Sequence, residues 1–561
     1  MKKLLLTLFI VVSQNFQAQT HLTEIGKSNS LCYVWGLMKY YHPVVSIGKF
    51  DWNKEFVNLY SKTEKIETQG ELNEALLAWI NSFENEKTKY SNKPIKLDDQ
   101  KIFTKNVDFG WIDQCHFDDK LTAKINQIKD NTAITKHYAS IEKLNNFVSF
   151  KNEKGFAGFD EKIKSNRVLF LASFWNAMRY WNVNIYLTDE NWNDVLSNVQ
   201  KDFIEADTKE KFEFAKRKLF SKLNDSHSDY NSDYLFDHLW TRFAPFGGPM
   251  VNDSLVVTNL HNKTWARKDG IELRDVIYEI EGMSVKEYFV KKFKNLESTS
   301  NLNQSKNMNQ HYLLLASNKD SIAVGKISKD LKKQQVYVHL NKLEEHPKEE
   351  RETIYERLKA YFYTINDNVG YINLYGITDK QLSEAFKSFQ EKKGIIIDLR
   401  NYPRNINESD IAKYLYPEKK TFIKVLGPIQ PSIGEYDMQA PLKLIKNPFV
   451  AGSKNSNYYK GKVVLLVNRS TISKAEYMGM AIQQAPNCVT VGEQTGGAVM
   501  NRIQFTLADK SSIDFTGMGA FYPDDTGVQR TGLKIDHVVQ ESAMHFNTNS
   551  YIEKAIKLIE E

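Results

Sequence analysis

The sequence predicts a multidomain α+β protein. A helical N-terminal region with an internal repeat is followed by a small β-rich module and an α/β core. Three observations predict this. The first is a gapless self-similarity, in which residues 31–85 match residues 171–225 and apolar residues recur at helical spacing in both copies. The second is a set of short β-like runs between glycine and proline turns over residues 236–300. The third is an alternation of all-apolar runs with helical patterns over residues 366–561, as expected of a sheet covered on both faces. The chain has 561 residues, 41% hydrophobic and 26% charged, an ordinary globular composition that excludes a disordered, collagenous or multi-span membrane chain. The 75 Lys and Arg stand against 69 Asp and Glu, a net charge of +6 with no basic block, so no nucleic-acid partner is expected. Cys32, Cys115 and Cys488 are far apart and form no metal-binding spacing, so neither a disulfide framework nor a zinc site is expected.

At the N-terminus, Lys2-Lys3 precede an apolar run from Leu4 to Val12, the layout of a secretory signal peptide over residues 1–19. The run is too short to span a bilayer, which takes about 20 residues as a helix. The protein is therefore expected to be exported, periplasmic or extracellular. Residues 20–235 read as mostly helical. Within them Trp35 matches Trp175 and Trp52 matches Trp192 at the same offset of 140. Only the second copy runs into Asp225-Ser226-His227; the first runs into Asn85-Glu86-Lys87. In the module, Val251, Leu255–Val257 and Val276-Ile277 read as strands. The stretch from Gly270 to Gly282 resembles the PDZ pattern, with Arg274 and Glu281 at the usual glycine and asparagine of its turns. Residues 301–365 read as a polar connecting region with a β-like run at Gln335–Leu340 and a charged helix around Glu349–Tyr361. In the core, Val369–Leu374, Gly394–Leu399, Val463–Val467 and Val489–Val491 read as strands, and Leu382–Gln390 as a helix.

The apolar strand Val463–Val467 ends in a turn that leads through Ser473 into a helical pattern. A serine there sits at the carboxyl edge of the sheet, where ligands of α/β folds bind, and beside the free N–H groups of a helix start, which stabilise a developing oxyanion. Ser473-x-x-Glu476 is equally the pattern of a capping box, a purely structural signature. Three further features accompany it. Gly492-Glu493-Gln494-Thr495-Gly496-Gly497 follows the next strand, and its glycines, Gly496 and Gly497, would let a substrate backbone approach closely. His227 is flanked by hydrogen-bonding groups able to orient it, and its ordinary pKa of about 6.5 suits a general base. A polar loop from Thr526 to Asp536 precedes the last strand.

Ser-x-x-Glu after an apolar strand, then Gly-Glu-x-Thr-x-Gly, then Gly-x-x-x-Asp resembles the tail-specific, or C-terminal-processing, serine peptidase family over residues 220–545. The resemblance implies a crotonase-like α/β peptidase core with a PDZ-like module. Of the family's two designs, the Ser–Lys dyad is absent, because Ala498 occupies the lysine position. The tricorn-type design places the nucleophile at Ser473, the Ser-His pair at Ser226 and His227, and its glutamate at Gln529, an uncharged replacement. It implies oxyanion donors at the backbone N–H of Lys474 and near Arg404, where the usual Gly-Gly is missing. Activity should then rise through about pH 6–7, and no metal or organic cofactor is required. The expected substrates are peptides or unfolded protein tails, with no nucleic acid and no membrane span. The alternative, motivated by Gln529, the missing Gly-Gly and the altered PDZ turn, is a non-catalytic peptide-binding protein on the same scaffold. An α/β-hydrolase esterase needs Gly-x-Ser-x-Gly, which the residues around Ser473 do not supply.

Overall fold

The computed structural model describes residues 22–92, 102–103, 107–132, 135–142, 147–230, 232–358, 360–429, 433–438 and 447–561. The signal-peptide expectation, residues 1–19, lies outside the described residues. Among the described residues, no helix is long and apolar enough to cross a membrane.

The offset of 140 reappears in the helices. Glu24–Tyr41 and Lys164–Trp181 are each 18 residues long, and Gln69–Asn81 and Lys209–Ser221 are each 13. Within each copy two tryptophans from successive helices exchange indole-to-carbonyl hydrogen bonds. Trp35 and Trp52 donate to each other's backbone oxygens at 2.9 and 3.2 Å, and Trp175 and Trp192 do so at 2.7 and 3.0 Å. A buried indole N–H needs such a partner. The two long helices meet where equivalent positions face each other, since Asn176 donates to Cys32 O at 2.9 Å and crowds Gly36. Self-facing equivalent positions are the mark of a local two-fold axis. The buried cluster built around these helices also takes in Ile503, Phe505, Ile513 and Phe515, from the hairpin Arg502–Thr506/Ser512–Thr516 of the C-terminal region.

The β-rich module is larger than its predicted bounds. Its sheet runs in the order Met250–Val251, Ser254–Val256, Val276–Ile280, Ser321–Ile327 and Lys333–His339, all antiparallel. The stretch predicted as connecting, residues 301–365, therefore supplies two of its longest strands and the helix Leu302–Asn309. The charged helix predicted around Glu349–Tyr361 does not form; that segment holds a 3-10 turn at Lys348–Glu350 and a short strand at Glu352–Thr353. Two turns of the module adopt positive φ at residues that are neither glycine nor asparagine. Arg274 and Glu281 have φ of 73° and 49°. Glu281 is held by accepting from Ala323 N at 3.0 Å and Lys319 Nζ at 2.8 Å.

In the core, Phe362–Thr364 pairs antiparallel with Val369–Asn373. Gly394–Asp398, Lys462–Val467, Cys488–Gly492 and His537–Val538 then follow in parallel. Alternate residues point to opposite faces. Ile395, Ile397, Val463 and Leu465 pack with the helices Asp379–Phe389, Glu408–Leu415 and Lys474–Ile482, whereas Ile396, Val464 and Leu466 pack with the helix Ser550–Glu560. Both faces are covered, which is why the middles of the strands Gly394–Asp398 and Lys462–Val467 are continuous apolar runs.

Candidate active site

The strand Lys462–Val467 leads into a turn pinned by Thr471. The threonine hydroxyl donates to Leu399 O at 3.0 Å and accepts from Asn468 N at 3.1 Å. Ser473 follows with φ 59° and ψ −121°, and the helix Lys474–Ile482 starts at the next residue. A non-glycine residue in this region of backbone space stores about 1–3 kcal/mol of strain, which persists only where neighbours over-determine it. The determining neighbour is Glu476, a fully buried carboxylate. It accepts from Ser473 N at 3.2 Å, Thr495 Oγ1 at 2.5 Å, Gly497 N at 2.7 Å and Ala498 N at 3.0 Å. Burial pushes its carboxyl above the ordinary value against the pull of these donors. So the capping-box reading holds for the glutamate, which ties the elbow to the glycine-rich loop. The half-buried Ser473 hydroxyl makes no hydrogen bond with the helix's first turn. Lys474 N–H, at the first helical position, has no intrahelical acceptor.

Gly496 and Gly497, expected at the substrate, pack closely against the protein's own chain. Both are buried, and a side chain at Gly496 would meet Ile472 at 2.6 Å, while one at Gly497, whose φ is +67°, would meet the Arg530 backbone at 2.7 Å. Their glycines serve internal close approach. The backbone N–H of Arg404, expected as an oxyanion donor, donates to Tyr375 O at 3.2 Å in this structure.

His227 lies in a second cluster, brought together from three distant segments. Asp225, buried, accepts from four donors: His227 N at 3.1 Å, Thr516 N at 2.6 Å, Thr516 Oγ1 at 2.7 Å and Gln529 Nε2 at 3.2 Å. His227 Nδ1 lies 3.0 Å from Thr516 Oγ1. Burial pushes the ring below its ordinary pKa; Asp225 and Asp514 pull it up and Arg502 adds to the lowering. Ser226 faces away from this cluster. Its hydroxyl accepts from Ser300 N at 2.8 Å, and its N–H donates to Ser300 Oγ at 2.9 Å, so it ties the His227 segment to the β-rich module and does not orient the ring. Gln529, expected to hold Ser226, is in contact with Asp225 and Thr516 instead. Sequence reasoning missed Thr516 because no motif marks it and 289 residues separate it from His227.

The two clusters are neighbours through the residue after Gln529. Arg530 N donates to Gly497 O at 2.8 Å. Asn301 of the module donates to Thr495 O at 2.9 Å and Arg530 O at 3.2 Å, and the Arg530 guanidinium reaches Asp189 in the helical region at 2.8 Å. No hydrogen bond joins Ser473 to His227 in this structure. A separate polar cleft of about 570 Å³ opens at the carboxyl ends of the parallel strands, lined by Tyr371, Asp398, Arg400, Arg469, Glu493 and Tyr551 but not by Ser473 or His227. Two ion pairs line it, Arg400 with Asp398 and Arg469 with Glu493, each at 2.7 Å, together with Glu541. Among the described residues no His, Cys, Asp or Glu cluster is arranged to hold a metal ion.

Comparison with known proteins places this geometry. Residues 368–539 match the model of peptidase family S41. The chain is 25% identical over 283 residues to the carboxy-terminal processing protease CtpA of Bacillus subtilis (strain 168), covering 48% of this chain and 50% of that one. It is 22% identical over 195 residues to the carboxy-terminal-processing protease of Bartonella bacilliformis, covering 33% and 42%. The match thus spans about half the length, or less, of these curated relatives. The structure of mature CPAF complexed with lactacystin superposes with a TM-score of 0.55 at 10% identity, over 71% of this chain and 98% of that one, a likeness of fold. Residues 368–539 therefore match a peptidase family S41 domain, and the chain is similar to carboxy-terminal processing proteases over a longer stretch.

Proposed function

We propose that the protein is an exported serine peptidase that cleaves peptides or unfolded protein tails through Ser473 and His227, on a crotonase-like core with a PDZ-like module. The observation that carries this reading is the backbone of Ser473: a strained, half-buried alcohol between an apolar strand and a helix start, within a domain matching a serine peptidase family. Backbone strain of this kind clusters at active sites.

On this reading the Ser473 oxygen attacks the scissile carbonyl as His227 Nε2 removes its proton. The helix-start N–H of Lys474 receives the developing oxyanion, and the imidazolium returns the proton to the leaving amine. Catalytic hydrogen bonds are often unformed without substrate, so the reading requires Ser473 and His227 to meet in the working complex. The occupied Arg404 N–H favours the second reading, a non-catalytic peptide binder.

Incubation with a fluorophosphonate probe and with casein, a disordered polypeptide, decides between them. Wild type should be labelled and should cut casein, and Ser473→Ala and His227→Ala should do neither. A wild type that neither labels nor cuts at any pH from 5 to 9 overturns the peptidase reading in favour of the binder.

A further inference from the structure

The hydrogen atoms around His227 can be assigned by counting donors. A carboxylate facing four donors accepts only, so the Thr516 hydroxyl, 2.7 Å from Asp225 Oδ1, spends its one hydrogen there. Its oxygen then has nothing to donate to His227 Nδ1 at 3.0 Å, and the ring nitrogen must carry the hydrogen of that bond. Gln529 Nε2 points at the same two oxygens, 3.2 Å from Asp225 Oδ1 and 3.4 Å from Thr516 Oγ1, and fixes their direction. Proton on Nδ1 means a lone pair on Nε2, the form a general base needs.

We propose that Asp225 and Thr516 are the positioning residues of this site: a buried carboxylate acts through a threonine hydroxyl to hold His227 in its Nδ1–H tautomer and to support the imidazolium that forms on it. This rests on the peptidase reading. It moves the orienting role from Ser226, which is bonded to Ser300, to a residue on the hairpin strand Ser512–Thr516. The negative charge that an uncharged Gln529 lacks is supplied by Asp225.

Two measurements test it. The first uses the unaltered protein and needs no activity: nitrogen-15 NMR of labelled histidines at pH 8, with the His227 signal assigned by its loss in His227→Gln. A hydrogen on Nδ1 is expected; a hydrogen on Nε2 overturns the assignment. The second is kinetic. Thr516→Val should lower kcat at least tenfold with little change in KM, a larger loss than Ser226→Ala gives, and Thr516→Ser should restore kcat to within a few-fold. Asp225→Asn should lower kcat by about 10²–10⁴, the range set by comparable losses in serine triads. It should also move the acid limb of kcat/KM to lower pH. The charged groups acting on the ring are Asp225, Asp514 and Arg502, and loss of Asp225 removes one of the two that favour its protonation. An unmoved acid limb in a folded Asp225→Asn, or wild-type kcat in Thr516→Val, refutes the proposal. If wild type fails to label with fluorophosphonate, the peptidase reading falls, while the NMR result still decides the arrangement around the ring.

Discussion

Glu476 carries two opposing effects. Its four donors favour the carboxylate, and its complete burial favours the acid, with burial the larger. Between the ordinary value of 4.5 and the raised one, the folded chain binds a proton that the unfolded chain does not, so stability falls as pH rises through that window. Glu476→Gln removes this slope but turns an amide donor toward the N–H groups of Gly497 or Ala498. We expect it to destabilise by about 1–3 kcal/mol, the cost of a buried unpaired donor. In urea unfolding the deficit should shrink as pH is raised above 4.5; a deficit that grows would contradict this assignment. At His227 the sign is reversed. Burial lowers its pKa, so the ring remains a neutral base in more acid solution. The acid limb of kcat/KM, which reports the free enzyme, should lie below the ordinary histidine value of about 6.5, lower than the pH 6–7 expected from an unperturbed ring. A limb at 7 or above would place a different group in charge.

The helices and strands show which patterns a sequence displays. In an exposed helix Gly→Ala gains about 1 kcal/mol. At position 36 the added carbon would lie 1.9 Å from Asn176 Oδ1, and Asn176 is held by bonds to Cys32 O and Ala172 O. Overpacking of about 1–3 kcal/mol then outweighs the propensity gain. Gly36→Ala should therefore lower the thermal midpoint, and Gly36→Ala with Asn176→Ala should cost less than the sum of the two single changes; strict additivity would rule out the direct clash. The repeat was legible because both copies keep the tryptophans that bond to each other, and the parallel strands were legible because burial on both faces leaves apolar runs such as Ile395–Ile397 and Val463–Val467 in them. The strand Lys333–His339 was legible only as a β-like run at Gln335–Leu340 inside a stretch read as connecting, since it lies at the sheet edge with most of its side chains in solvent. Thr516 was hidden for another reason: a threonine that ends a strand looks like any β-former until the fold sets it beside an aspartate far away in the chain.

Taken whole, the molecule does not divide at the sequence boundaries. The S41 domain contains a hairpin whose apolar face, Ile503, Phe505, Ile513 and Phe515, is buried with the helical region, with Phe150 and Phe505 rings 5.1 Å apart. Residues 366–561 expressed alone should expose that face and aggregate, and joint expression with residues 22–365 should return them to solution. A soluble, monomeric isolated core would show that the hairpin face needs no partner. The strand-and-helix setting of Ser473 was readable in the sequence, whereas the groups around His227 were not, because they depend on this interlocking of distant segments.

The pairing of Asp225 with Thr516 across 291 positions also sets an order of events. A chain synthesised from its N-terminus makes His227 first and receives Thr516 only 289 residues later. On the arrangement proposed above, a partly made polypeptide would own a base with no correct proton placement and no attacking alcohol, and would be harmless to its surroundings until the closing hairpin docked.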